Sequence, residues 1–288
     1  MSIVRVDFNV DDTQPSLRML LQRVGGAIVT AKEPLEVDLS DCQFLGPSAV
    51  VTLCGLRRSF DERGTSLTIR PPKLTRLLNY CQYSGLLADF SLGPEPQDHP
   101  ESVTTPVRVF RDSIPTGAIE EVALLAKRTM QLSQVAEHDL NLVLSELIQN
   151  VLDHSKSPFG GLVSARAYRD QRDVRVAVAD FGVGIRRSLA PRVAAPNDKE
   201  AIRLALREEV SGKTSGRNLG LGLSHLHAIV RLTKGRMVIY SYGGFLRYEN
   251  DHDAFVSAKP GYPGTIAFVR LPMRESDTGT EAPVDIWA

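Results

Sequence analysis

The sequence predicts an α/β protein in two units: an N-terminal α/β layer over residues 1–92 and a C-terminal two-layer α/β sandwich with a mixed sheet over residues 107–273. Three observations carry this. Apolar residues recur at period two in some stretches and at helical spacing in others, the patterns of half-buried strands and amphipathic helices. The 288 residues are about twice the ~150 typical of one domain. Between the units, LGPEPQDHPESVTTP (92–106) carries four prolines and almost no large apolar side chain, which sets an extended linker at 93–106. The polar, aperiodic stretch 274–288 is expected to be a disordered tail.

In the first unit Val4, Val6 and Phe8 alternate with polar residues as in a strand, and Leu17, Leu20, Leu21 and Val24 share a helical face. LEVDLS is a short strand. In FLGPSAVVTLCGLRRSFDERG, Pro47 suits a first helical turn, Val50, Leu53, Cys54 and Leu56 form an apolar face, and Gly64 can cap the end. SLTIR and a helix from Leu74 to Tyr83 complete the layer. The second unit opens with two amphipathic helices, 118–132 and 138–153, followed by the strands LVSARAY and DVRVAVADFG. Helices over NDKEAIRLALREEV and GLGLSHLHAIVRLTKG come next, then the strands RMVIYSY and GTIAFVRLP, so that helices cover one face of the sheet.

Composition narrows the function. With 34 basic and 34 acidic residues there is no long-range pull toward nucleic acid or an anionic membrane, so a bound phosphate has to be held by local geometry. No apolar run reaches the ~18 residues of a membrane span. MSIVRVDFNVDD lacks the features of a signal peptide, and a cytoplasmic location is expected. Three cysteines, Cys42, Cys54 and Cys81, show no CxxC spacing and read as small buried hydrophobes.

Three segments concentrate chemistry. In ELIQN, Glu146 and Asn150 lie one helical turn apart on one face. A carboxamide oxygen suits Mg²⁺, and a carboxylate beside it can take a proton from an attacking oxygen. Asp180-Phe181-Gly182-Val183-Gly184 ends a strand with an acid able to accept a hydrogen bond from an exocyclic amine such as adenine's, and its glycines allow close backbone approach. Gly216 to Gly222 feeds a glycine-rich loop into a helix N-terminus, an arrangement that attracts anions. Taken singly, each pattern also fits plain structure: a solvated helix face, a turn, or glycines packed under a helix. Several look-alikes fail. Ser211-Gly212-Lys213-Thr214 lacks the earlier glycine of a P-loop. His225 and His227, two apart on a helix, do not make a metal pair.

The order of the three segments, followed by Gly264-Thr265 before the last strand, resembles the histidine-kinase-like (GHKL) ATPase family over residues 107–273. That resemblance implies ATP and Mg²⁺ as cofactors. It implies Glu146 as general base, Asn150 as magnesium ligand and Asp180 as the adenine-reading acid, with Thr265 assisting. Gly182 and Gly184 would shape the base pocket, Gly220 and Gly222 would offer amides to phosphates, and His154 would face them too. Residues 190–219 would form a lid, with Asn218 standing where glycine is usual. Within that family, EHDLNLVLSELIQNVLDHS looks more like the anti-sigma-factor serine kinases than the sensor histidine kinases, since no helix pair with a phosphoacceptor histidine precedes it. The first unit in turn resembles a STAS domain, the module such kinases phosphorylate, except that Gly46-Pro47-Ser48-Ala49 replaces Asp-Ser-Ser-Gly. The acid and first hydroxyl are gone while Ser48 keeps the second, so the resemblance implies a docking or regulatory surface rather than a substrate. The implied function is partner-switch signalling, with serine or threonine phosphoryl transfer from ATP to a protein partner of STAS or anti-sigma type. The alternative is a nucleotide-gated switch or slow ATPase that transfers nothing. Kinases of this type often pair, so a homodimer is compatible, though no apolar stripe demands one.

Overall fold

The structure, a computed structural model, describes residues 2–12, 14–30, 33–97, 102–130, 132–207 and 222–273. Strands β1 (Ser2–Arg5), β2 (Leu35–Asp38) and β3 (Leu67–Arg70) pair in parallel with β2 in the middle. Parallel neighbours need a crossover, and α1 (Gln14–Thr30) and α2 (Pro47–Glu62) supply the two. Pro47 sits in the first turn of α2, as expected, but Gly46 ahead of it has no side chain to cap the helix. Asp12, from the segment after β1, does so instead: one carboxylate oxygen accepts the Ser48 N–H at 2.9 Å and the Ser48 hydroxyl at 2.5 Å. Helices α3 (Thr75–Tyr83) and α4 (Leu86–Asp89) complete the unit. Cys42, Cys54 and Cys81 are buried and unbridged, and burial pushes their thiols up.

The remainder runs β4 (Arg108–Phe110), α5 (Thr116–Thr129), α6 (Gln134–His154), β5 (Gly161–Tyr168), β6 (Asp173–Asp180), α7 (Gly184–Leu189), α8 (Asp198–Ala205), α9 (Gly222–Leu232), β7 (Arg236–Glu249) and β8 (His252–Pro272). The five strands order as β4-β5-β6-β8-β7, and every neighbouring pair is antiparallel rather than mixed. Tight reversals dictate two of these four pairings, β5–β6 and β7–β8, because a short hairpin joins only antiparallel strands. Arg169 to Arg172 turns β5 into β6, and Asn250 and Asp251, at φ of 52° and 57°, turn β7 into β8. That second turn lengthens the last two strands well past the expected RMVIYSY and GTIAFVRLP, with bulges around Tyr242.

Of the proline-rich stretch, Val103 to Thr105 are pinned to the sheet. Thr105 N–H donates to Ala165 C=O at 2.9 Å and Ala167 N–H to Val103 C=O at 2.8 Å. With β4, residues 103–110 thus run antiparallel along β5.

Both faces of the five-stranded sheet are buried. Val163, Val176, Val178, Ile239 and Val269 point to α5, α6 and α9. The alternate residues Leu162, Ala177, Ala179, Tyr240 and Phe268 share one core with Leu20, Val50, Leu53 and Cys54 of α1 and α2. The expectation that helices cover one face therefore accounts for half of the sheet. The N-terminal helices cover the other, and α2 approaches closely because it meets the small Ala177 and Ala179 and carries Gly55 at the contact.

Candidate functional site

The chemistry gathers on the α6 side of the sheet. Ser133 caps α6 by accepting the Ala136 N–H at 3.1 Å, and the 21-residue helix then carries Glu146, Asn150 and His154 along one flank at four-residue spacing. Asn150 donates its amide N–H to the Glu146 carbonyl at 2.8 Å, which directs Oδ1 toward Gly222 at the start of α9. A Cβ at position 222 would lie 2.6 Å from that oxygen and would displace the Asn150 amide.

Asp180 ends β6 with its side chain nearly fully buried. Its carboxyl accepts the Gly182 N–H at 2.8 Å. Burial nevertheless pushes its pKa up to about 7, outweighing the backbone bonds from Gly182 and Thr265. The loop that follows is tightly held. A Cβ on Gly182 would collide with the Ser155 carbonyl, and Gly184 takes φ of 71° against the Tyr242 ring. Tyr242 donates its hydroxyl to the Gly182 carbonyl at 3.2 Å, and the Ser241 hydroxyl accepts the Ile185 N–H at 3.0 Å. Thr265, opposite Asp180 in the β6–β8 register, places its hydroxyl 3.2 Å from that of Ser241.

These elements enclose a cleft of about 340 Å³ lined by Glu146, Asn150, His154, Asp180, Gly222 and Thr265. Gly182 and Gly184 shape the loop at its edge. Gly220 and Asn218, and the 208–219 part of the expected lid, lie outside the described residues. The earlier part of that stretch contains α8, capped by Asn197; Ile202 packs it against the sheet, the Gly243 N–H of β7 donates to the Asp198 carboxylate at 3.1 Å, and Ala201 packs with Leu189 and Ala205.

Two residues escaped the sequence reading. Arg192 supplies the cleft's one arginine or lysine among the described residues; nothing in the local pattern marked it. His225 places Nδ1 2.6 Å from Glu146 Oε1. Its spacing from His227 does not make a metal pair, and its place on the helix that follows the glycine-rich segment is the available sequence signal.

The donor set fits a nucleotide and a hard cation. An amide oxygen, a buried acid beside a close backbone loop, and a cation at the rim share one cleft of the size that holds small ligands. The histidine protein kinase DivJ of Caulobacter vibrioides is 27% identical over 144 residues, which cover 50% of this chain and 22% of that protein. The chain thus matches only about a fifth of the length of this curated relative. Residues 135–275, which take in α6 through β8, match the family model of histidine kinase-, DNA gyrase B-, and HSP90-like ATPases.

Proposed function

We propose that the protein binds Mg²⁺-ATP in the cleft between α6, the Asp180 loop and α9, and passes the γ-phosphoryl group to a serine or threonine hydroxyl of a protein partner in a partner-switch pathway. The observation that carries this is the convergence of Asp180, Asn150 and Glu146 on one cleft. Asp180 would accept the exocyclic amine of adenine, with Thr265 beside it, while Gly182 and Gly184 let backbone lie close to the ring. Asn150 Oδ1 would hold Mg²⁺, which when bound supplies charge neutralisation to the phosphates. Gly222 at the start of α9, His154 and Arg192 would face the phosphate chain. Glu146 would take the proton of the incoming hydroxyl, and positioning would supply most of the rate.

The N-terminal unit, read as STAS-like, fits a docking or regulatory role better than that of substrate. Ser48 is fully buried, and its hydroxyl is donated to Asp12. This same observation favours a second reading, a nucleotide-gated switch that signals without transfer, since the chain's own serine is inaccessible. Calorimetric titration with Mg²⁺-ATP is the first test: wild type should bind, and Asp180→Ala should lose about tenfold or more in affinity. Absence of binding by folded wild type at millimolar ATP sinks both readings. Label passing from γ-labelled ATP to another protein separates the kinase from the switch.

A further inference from the structure

Helices α6 and α9 meet at two levels. Gly222 packs on Asn150, and His225 reaches Glu146, its Nδ1 2.6 Å from Oε1. Going from 146 to 150 on one helix means going from 225 back to 222 on the other, so the two run antiparallel along this seam, one turn between contacts. The His225 side chain is 9% exposed and that of Glu146 22%. A glutamate at a cleft wall ordinarily turns freely about its last torsion, which is broad and two-fold. Here one oxygen is engaged by a largely buried imidazole carried on a different helix. A hydrogen bond to an ionised carboxylate is both short and strong, and it fixes the plane of the group.

We propose that His225 is a positioning residue for phosphoryl transfer. It donates its Nδ1 proton to Oε1 of Glu146 and so presents Oε2 to the reacting hydroxyl. This rests on the reading of Glu146 as general base. In the step itself the hydroxyl oxygen forms a bond to the γ-phosphorus while the bond from that phosphorus to the departing ADP oxygen breaks. The electron pair of the broken bond leaves on ADP, and the hydroxyl proton passes to Glu146 Oε2. His225 keeps its own proton throughout, and its contribution is the orientation of the base before the proton arrives.

The full chain, γ-labelled ATP and water as the acceptor provide the test, read as steady-state phosphate release. His225→Leu should lower kcat about tenfold or more while the KM for ATP stays within about twofold. His225→Asn, whose side-chain N–H can stand near the Nδ1 position, should restore most of the rate. If Glu146→Gln is strongly impaired but His225→Leu keeps its kcat, Glu146 acts without His225 and the inference is overturned alone. If Glu146→Gln turns over normally, the base assignment itself fails. Equal losses in His225→Leu and His225→Asn with a raised KM or a lowered Tm would mean a merely structural role, and a wild type that passes the γ-phosphoryl group neither to water nor to another protein overturns both.

Discussion

Gly55 of α2 faces the ring of Phe181, and a Cβ at position 55 would collide with that ring. Phe181 stands between Asp180 and Gly182, so its side chain lies in the core shared with the N-terminal helices while its backbone belongs to the loop beside the cleft. The ring is further held by Phe159 at 5.5 Å and Tyr262 at 4.7 Å. A change on α2 therefore reaches the cleft through one side chain.

Gly55→Leu is expected to push Phe181 and weaken Mg²⁺-ATP binding by about tenfold, with helix content preserved. Calorimetry with circular dichroism checks it. Unchanged affinity in a folded variant would show that the two faces of the sheet act independently.

Gly182→Ala places a methyl against the Ser155 carbonyl, a backbone atom that cannot swing aside. The loop must shift, and nucleotide affinity should drop by more than about tenfold at a stability cost of roughly 1–3 kcal/mol. Titration of the variant with Mg²⁺-ATP, alongside its urea midpoint, reads both numbers.

Acidity should matter through Asp12. Burial raises its carboxyl from 3.8 to about 6, outweighing the Ser48 hydrogen bonds and the pull of Arg175 and Arg166. Between those values the native state keeps a proton that the unfolded chain has released, so the penalty is absent below about pH 4, grows as pH rises and is complete above about pH 6. It amounts to roughly 3 kcal/mol at most. Asp180, raised to about 7, slopes the same way. Asp12→Asn retains an oxygen acceptor for Ser48 and removes the buried charge. It should gain about 1–3 kcal/mol at about pH 8 and nothing near pH 4, as measured by urea unfolding at both. A variant destabilised at the higher pH would mean that the carboxylate is stabilising where it sits.

Arg166 leaves β5 and enters the N-terminal unit, its guanidinium 4.3 Å from the Tyr80 ring and 5.1 Å from that of Phe44, and it donates to the Leu45 carbonyl at 3.3 Å. Arg166→Ala should cost roughly 1–3 kcal/mol in denaturant unfolding, through lost stacking and the orphaned carbonyl. A change under about 0.5 kcal/mol would leave this contact without energetic weight.

Much of this was legible in the sequence. The alternation Val174, Val176, Val178 announced a strand with one face on the helices, and the spacing of Glu146 and Asn150 announced two polar groups on one flank of α6. What escaped involved partners distant along the chain. Ala177 and Ala179 stand where a solvated face would carry polar residues, the one local hint that the second face is also covered, yet nothing nearby says by what. Asn250-Asp251 is a two-residue turn that reads plainly once the strands beside it are known. The link from His225 to Glu146 joins positions 79 residues apart, and no helical period reveals it.

The double cover of the central sheet bears on how the chain can be divided. A fragment severed within the proline-rich stretch would lay bare Leu162, Tyr240, Phe245, Ile266 and Phe268 together, a greasy expanse that soluble monomers rarely tolerate. Such a piece should clump or melt early, whereas the intact polypeptide should denature in a single cooperative event, its two ends serving as each other's solvent shield.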